Sequence, residues 1–293
     1  MTPVKKGYNL AMELRDRHGR RVTVTLYARG AAVQLDAARL AAALRLRRAL
    51  AGRPELCARG LEKILGMKPE RLGVKLWSGR ELLFHAPADL PAFLLDIYSI
   101  ILRDQYDAGD LSGAVVVDAG ANLGVFSLYA LALGAKKVYS FEAVKETFAL
   151  LKANLALNKA GRAVRAASIA LGAAAGRAEL LYNTRGEGSA RLAGPAPEAC
   201  RGVSYAGRRR VAVAPLDSLV KAPPDFIKID VEGREKAVLL GAAGLIRRYK
   251  PVLSFAAYHR KADKKDLPAA VRALRPGYRV KLNTYAEHDF ICR

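Results

Sequence analysis

The sequence predicts an α/β protein built on a helix-covered sheet, with a small α+β attachment at the N-terminal end. Three observations predict it. From Ser112 onward, strand-like and helix-like segments alternate, which is the pattern of a sheet covered by helices. The strand-like segments are nearly unbroken apolar runs, such as "AVVVDAG", as expected when both faces of a parallel strand are buried. Several of those runs end in a polar side chain: Asp118, Glu142, Asp230 and His259. In an open α/β sheet, ligands bind outside the carboxyl ends of the strands.

Residues 1–110 form the expected attachment. "YNLAMELRD" and "RVTVTLYA" alternate around "RHGR" and read as a hairpin. "QLDAARLAAALRLRRAL" reads as a basic amphipathic helix. "RLGVKLW" and "RELLFHA", joined through Ser78-Gly79, read as a second hairpin. Asp89 caps a further helix, with Pro91 in its first turn and "AFLLDIYSIILRDQY" as its apolar-faced body.

The sheet domain is expected over residues 111–293. "AVVVDAG" leads into the helix "NLGVFSLYALALG", which Gly134 closes. The strand "KVYSFEA" precedes the helix "KETFALLKANLALNKA", and "VRAASIALG" is the third strand. "AELLYN" and "RVAVAPL" flank a Gly/Pro/Ala-rich surface segment, 184–207. "DFIKIDVEG" is a strand, "REKAVLLGAAGLIRRY" a helix, and "PVLSFAAYH" another buried strand. "GYRVKLNT" and "EHDFICR" pair as a closing hairpin.

Composition narrows the class. The 293 residues, 52% of them apolar, can bury an ample core. The longest apolar stretches hold about ten residues, too few to span a bilayer, and the first residues show no apolar signal-peptide region. A cytoplasmic protein is expected. Cys57, Cys200 and Cys292 are scattered and form no CxxC, and the four histidines form no HxxxH pair, so neither a disulfide framework nor a His/Cys metal site is expected. The formal charge of +22 has two readings: a surface that attracts polyanions such as RNA, or a solvated arginine-rich surface of the kind heat-adapted proteins carry.

The chemistry begins with "DAGANLG". Gly120 and Gly124 permit a tight turn and close backbone approach. A dinucleotide fingerprint would need GxGxxG, but position 122 is Asn. An acid before the first glycine suits a cationic amine better than a pyrophosphate. Glu142 follows at about the spacing, roughly 20 residues, of an acid that accepts ribose hydroxyls. A ligand with an ammonium, a carboxylate and an adenosine meets these demands, and S-adenosylmethionine has all three. In "IKIDVEG", Asp230 and Glu232 flank Val231, and His259 ends the next strand. Either acid can cap the following helix, act on a proton, or bind Mg²⁺ as a pair. No metal ligand is assigned.

The chain resembles the FkbM-type S-adenosylmethionine-dependent methyltransferases. The resemblance runs over about residues 92–293, through "VVVDAGANLGVFSLYA", "VYSFEAVKETFALLKANLALN", "ASIALGAAAGRAEL", "APLDSLV", "FIKIDVEGREKAVLLGA" and "KPVLSFAAYH". "FEAVKE" departs from it where the family more often has proline after the glutamate. The resemblance implies a class I methyltransferase fold, a Rossmann-like sheet with seven strands and the last one antiparallel, and usually O-methylation of a hydroxyl. It implies Asp118, Gly120, Asn122 and Gly124 at the methionine end of the cofactor, Glu142 on the ribose, and Ser168–Ile169 at the adenine. It also places Asp230 and Glu232 before the reacting methyl group. His259 joins Asp230 as a candidate base, because a hydroxyl acceptor must lose its proton.

The leading expectation is therefore methylation of a hydroxyl on a small molecule or glycan. An RNA ribose 2′-hydroxyl is the alternative acceptor, with residues 1–110 as a docking region. A non-catalytic nucleic-acid-binding protein on the same fold is the third reading.

Overall fold

A computed structural model of the chain describes residues 14–28, 31–50, 53–182, 190–194 and 205–293. Residues 1–13, Cys200 and most of the 184–207 segment lie outside the described residues. The central sheet has seven strands: β1 (Val115–Ala119), β2 (Lys137–Glu142), β3 (Val164–Ser168), β4 (Phe226–Ile229), β5 (Val252–Ala256), β6 (Val280–Asn283) and β7 (Asp289–Cys292). Their spatial order is β6-β7-β5-β4-β1-β2-β3. Every neighbouring pair from β5 to β3 is parallel. Only β7 runs against its neighbours, β5 and β6. This is the expected sheet with its reversed last strand, closed by the expected hairpin. The chain order reverses direction between β1 and β4, so those strand ends form the crevice where a ligand site is expected.

The third apolar run divides. Val164–Ser168 stays in the central sheet, whereas Ala170–Leu171 turns away to pair with Gly207–Ala214. Gly207–Ala214 also pairs antiparallel with Gly176–Tyr182, so the segments flanking the Gly/Pro/Ala-rich stretch form a small separate sheet.

The N-terminal sheet contains the two expected hairpins. Leu14–Arg15 pairs with Arg21–Ala28, and Arg71–Lys75 pairs with Glu81–His85. A strand at Ala31–Leu35 was not foreseen. Its last two residues, Gln34 and Leu35, lie where a helix was read, and the helix begins only at Ala37 because Asp36 caps it by accepting from the Arg39 N–H at 2.7 Å. Asp89 caps the Leu90–Asp96 helix as expected. That helix then widens into a π-helix over Ile97–Leu102, a rare form often found at functional sites.

The described residues of the attachment share an apolar core with the sheet domain. Val24, Leu72 and Phe84 of the N-terminal sheet belong to one buried cluster with Phe126, Tyr129 and Val138. The helix Val125–Ala132 lies in this cluster with all but its last residue buried, which explains why it is apolar all round. The outer strand Glu81–His85 leaves backbone groups unpaired, and two asparagines satisfy them. Asn158 accepts from the Leu83 N–H and donates to its carbonyl, and Asn154 accepts from the His85 N–H. Asn154 also donates to Leu123 O, which ties this sheet to the glycine-rich turn.

One predicted helix proves to be two. "REKAVLLGAAGLIRRY" breaks at Ala242 into Glu235–Gly241 and Ala243–Tyr249. Gly241 sits so close to another backbone that a Cβ there would lie 2.0 Å from Gly172 O. Asp217 then supplies a new start, accepting from the Gly244 and Leu245 N–H groups.

Candidate active site

The "DAGANLG" turn folds tightly against β4. Gly120, Asn122 and Gly124 all have positive φ, at 80°, 46° and 87°. The N–H groups of Gly120 and Ala121 both donate to Phe141 O. A Cβ on Gly120 would lie 1.8 Å from the Asp230 carbonyl oxygen. The glycine is thus required first by the contact between the ends of β1 and β4. At Gly124 the added atom would meet the side chain of Leu151 at 2.6 Å.

Asp118 was expected beside a bound amine. It is instead fully buried and already paired. One oxygen lies 3.0 Å from the Lys228 ammonium, and the other accepts from Ser127 Oγ at 2.6 Å. Lys228 also donates to Gly120 O at 2.6 Å. Burial works against the lysine's charge, but the Asp118, Asp230 and Glu142 carboxylates outweigh it and raise the pKa above its ordinary value. The β1 acid and the β4 lysine thus fasten the glycine turn from beneath.

Glu142 ends β2 and reaches the rim of this turn. It accepts from the Asn122 N–H at 3.0 Å and the Val144 N–H at 2.8 Å. Burial raises its pKa, and these two N–H groups partly offset the rise. Each carboxylate oxygen keeps a lone pair for a further donor. Ser168 lies directly across from Glu142 in the β2–β3 register, and the Ile169 N–H donates to Glu142 O. Glu142, Ser168, Ile169 and Asn122 therefore share one edge. Asn122 Nδ2 also donates to Asp96, at the start of the π-helix. Burial, then the nearby Asp230, push the Asp96 pKa up to about 7.

Asp230 directly follows β4. Its carboxylate is 20% exposed and accepts from Tyr106 Oη at 2.8 Å, with Tyr258 Oη at 3.4 Å. His259 lies just past β5 with its ring almost fully enclosed, and carboxylates face both nitrogens. Nε2 is 3.4 Å from Glu232 and 3.6 Å from Asp230, and Nδ1 is 3.0 Å from Glu235. Burial alone would lower the histidine pKa, but Glu235, Asp230 and Glu232 push it up to about 10. Burial pushes Glu232 up to about 8 against the pull of His259. The expected base is therefore held among acids in this state, with its proton retained at neutral pH. Glu235 also accepts from the Val231 and Gly233 N–H groups, and so fixes the turn that carries Glu232 at φ 55°.

The structure thus gathers Asn122, Glu142, Ser168 and Ile169 on one side of the crevice and Asp230, Glu232 and His259 on the other. Four participants were missed in the sequence. Asp96 was read as part of an apolar-faced helix and Glu235 as a helix residue. Tyr106 and Tyr258 are not among the sequence candidates. Asp96 and Tyr106 precede the first sheet strand, so no strand-end rule reaches them. Glu235 offered a weak signal as the third acid in "DVEGRE".

A seven-stranded sheet in this order, with the glycine turn after β1 and acids after β2 and β4, defines a class I methyltransferase fold. Residues 118–282, more than half of the chain, match the methyltransferase FkbM domain, and the chain belongs to that family. The fold is similar to that of methyltransferase FkbM from Methylobacillus flagellatus, at 21% identity and a TM-score of 0.48 over 70% of this chain and 54% of that one. This chain therefore spans about half the length of that relative. It is also similar to a precorrin-6y C5,15-methyltransferase from Geobacter metallireducens, at 15% identity and a TM-score of 0.40 over 65% of this chain and 85% of that one. An rRNA methylase from Streptococcus thermophilus gives 15% identity and a TM-score of 0.40 over 64% and 90% of the two chains. No curated protein matches the sequence. Among the described residues, no helix is long and apolar enough to cross a membrane.

Proposed function

We propose that this methyltransferase uses S-adenosylmethionine and transfers its methyl group to a hydroxyl of a small molecule or glycan. The supporting observation is the pairing of an adenosine-type edge at Glu142 with a partly exposed carboxylate, Asp230, at the neighbouring switch-point strand. The bound cofactor would supply a methyl group on a cationic sulfonium. The chain's residues fit such a cation: Asp96, Glu142, Asp230 and Glu232 line the crevice, and the nearby Lys228 is already committed to Asp118. A pyrophosphate would face the same acids and be repelled, so NAD is not expected to bind.

In this reading Glu142 holds the ribose, Ser168 and Ile169 flank the adenine, and Asn122 with Asp96 receives the amino-acid end. Asp230 is the residue that accepts the proton of the acceptor hydroxyl. Tyr106 and Tyr258 orient its carboxylate. His259, enclosed by acids, positions Asp230 and Glu232 and does not itself reach the acceptor. Most of the remaining rate comes from in-line positioning of the two reactants. We assign acceptor binding to residues 1–110 and to the segment around 184–207, treating 111–293 as the cofactor domain.

Calorimetry tests the cofactor assignment. Glu142→Gln is expected to weaken S-adenosylmethionine binding by about 1.5–3 kcal/mol, the scale of hydrogen bonds to a charged group. The glutamine keeps an oxygen for only one of the Asn122 and Val144 N–H groups, which meet different carboxylate oxygens, so a melting curve checks that the turn survives. Unchanged affinity in a folded variant would remove Glu142 from the site.

The surface favours a second reading, an RNA ribose 2′-hydroxyl acceptor. Arg177, Arg208 and Arg210 are exposed on one face of the small sheet, in a chain of net charge +22. Binding to an RNA duplex or hairpin should then fall log-linearly with salt, since each neutralised phosphate releases counterions. Weak binding that does not change with salt would return the charge to a solvated surface.

A further inference from the structure

We propose that Asp230, Glu235 and His259 bind a first-row divalent transition-metal cation. One potential ligand atom from each of the three lies within 4.8 Å of the others. Two of the three side chains, Glu235 and His259, are only 1% exposed. A buried carboxylate and a buried imidazole without full satisfaction are costly to keep. Glu235 Oε2 has no hydrogen-bond partner, and neither has His259 Nδ1. The Nδ1 atom sits 3.0 Å from Glu235 Oε1, close enough for an ion pair yet not aligned for a hydrogen bond. These two orphaned buried atoms are the independent sign that a group belongs among them.

The charge balance agrees. Asp230, Glu232 and Glu235 surround one imidazole, and the nearest buried ammonium, Lys228, is held by Asp118. A cation among these donors would take the place of an imidazolium proton, since a ligating imidazole is neutral, and would give the orphaned Glu235 oxygen a partner. The donor set narrows which cation. Imidazole suits transition metals, whereas Mg²⁺ and Ca²⁺ prefer oxygen ligands alone. Two carboxylates with one histidine suit Mn²⁺, Fe²⁺, Co²⁺ or Zn²⁺. Asp230 is the most exposed of the three, so open coordination positions would face the crevice, where a hydroxylated acceptor could supply an oxygen.

The test needs neither cofactor nor acceptor, so its outcome is independent of the proposed methyl transfer. The full chain is stripped with a chelator and titrated with Mn²⁺, and the loss of the free-ion electron paramagnetic resonance signal is followed. One saturable site per chain is expected. Asp230→Asn and Glu235→Gln should each weaken it at least about tenfold, the lower end for loss of a supporting contact at a metal site. Glu235 also fixes the turn at Val231 and Gly233, so the more exposed Asp230 provides the variant that spares the fold. Mg²⁺ in about tenfold excess should fail to displace Mn²⁺. The proposal is overturned if Mn²⁺, Co²⁺ and Zn²⁺ show no saturable binding at about 1 mM, which would leave the His259 imidazolium to balance these acids. Binding unchanged in both variants would overturn it too. Ready displacement by Mg²⁺ would overturn the transition-metal assignment.

Discussion

Asp230→Asn is expected to lower methyl transfer by about 10²–10⁴-fold, the scale on which a positioned base contributes, while S-adenosylmethionine binding stays within a fewfold of wild type. The substitution keeps the shape of the side chain and one oxygen for Tyr106 Oη, which donates to Asp230 at 2.8 Å. It removes the capacity to take a proton. Single-turnover rates beside calorimetric cofactor affinities separate the two effects. Tyr106→Phe is the companion measurement: it removes one orienting hydrogen bond and should slow turnover far less. Because Asp230 is also a proposed cation ligand, the rate of the Asp230→Asn variant should be measured with and without excess Mn²⁺. Restoration by the metal would mean that the defect is lost cation binding, not lost proton transfer. If turnover is normal without added metal, Asp230 is not the base, and Glu232 or the acceptor's own groups take that place.

The largest effect on stability is expected from Gly120→Ala. Two costs combine at this residue. Its φ of 80° lies in the left-handed region, which costs an L-residue roughly 1–2 kcal/mol. The added methyl group would also sit 1.8 Å from the Asp230 carbonyl oxygen. That contact is backbone against backbone, so no side chain can rotate away, and forced displacement of a packed core costs about 1–3 kcal/mol more. A total of about 2–5 kcal/mol should lower the melting temperature by about 10 °C, given the usual conversion for chains of this size. Gly79→Ala isolates the first cost. Gly79 has a φ of 84° and nothing within 4 Å of an added Cβ. It should lose only about 1–2 kcal/mol. Equal melting temperatures for the two variants would show that the β1 and β4 ends are not pressed together as described. In the Gly120 variant the ends must part, so the glycine turn should move away from Asp230 and both cofactor affinity and rate should fall together.

The sequence by itself determined the sheet, the glycine turn and the strand-end acids. The reason is local: a short β-branched apolar run bounded by turn signals fits a strand buried on both faces, and a turn residue or an acid at its end is read one position at a time. The same local signals located Asp89 as a cap but not Asp36: the helix was begun at Gln34, over the last two residues of the Ala31–Leu35 strand, whose five residues carry too little periodicity to compete with an alanine-rich neighbour. Only the tertiary structure decided which acids face the crevice. Asp118 and Asp230 both lie at strand ends in the sequence, yet Lys228 and Ser127 enclose the first, whereas the second remains partly exposed. The partners of His259 were equally hidden. Glu232, Glu235 and Asp230 come from one loop and helix start, but the histidine that draws them together arrives from the next strand. Asp96 and Tyr106 reach the site from the N-terminal side of the sheet, across a core shared with the attachment. Burial and charge at such positions depend on atoms far apart in the chain, and no spacing rule along the sequence carries that information.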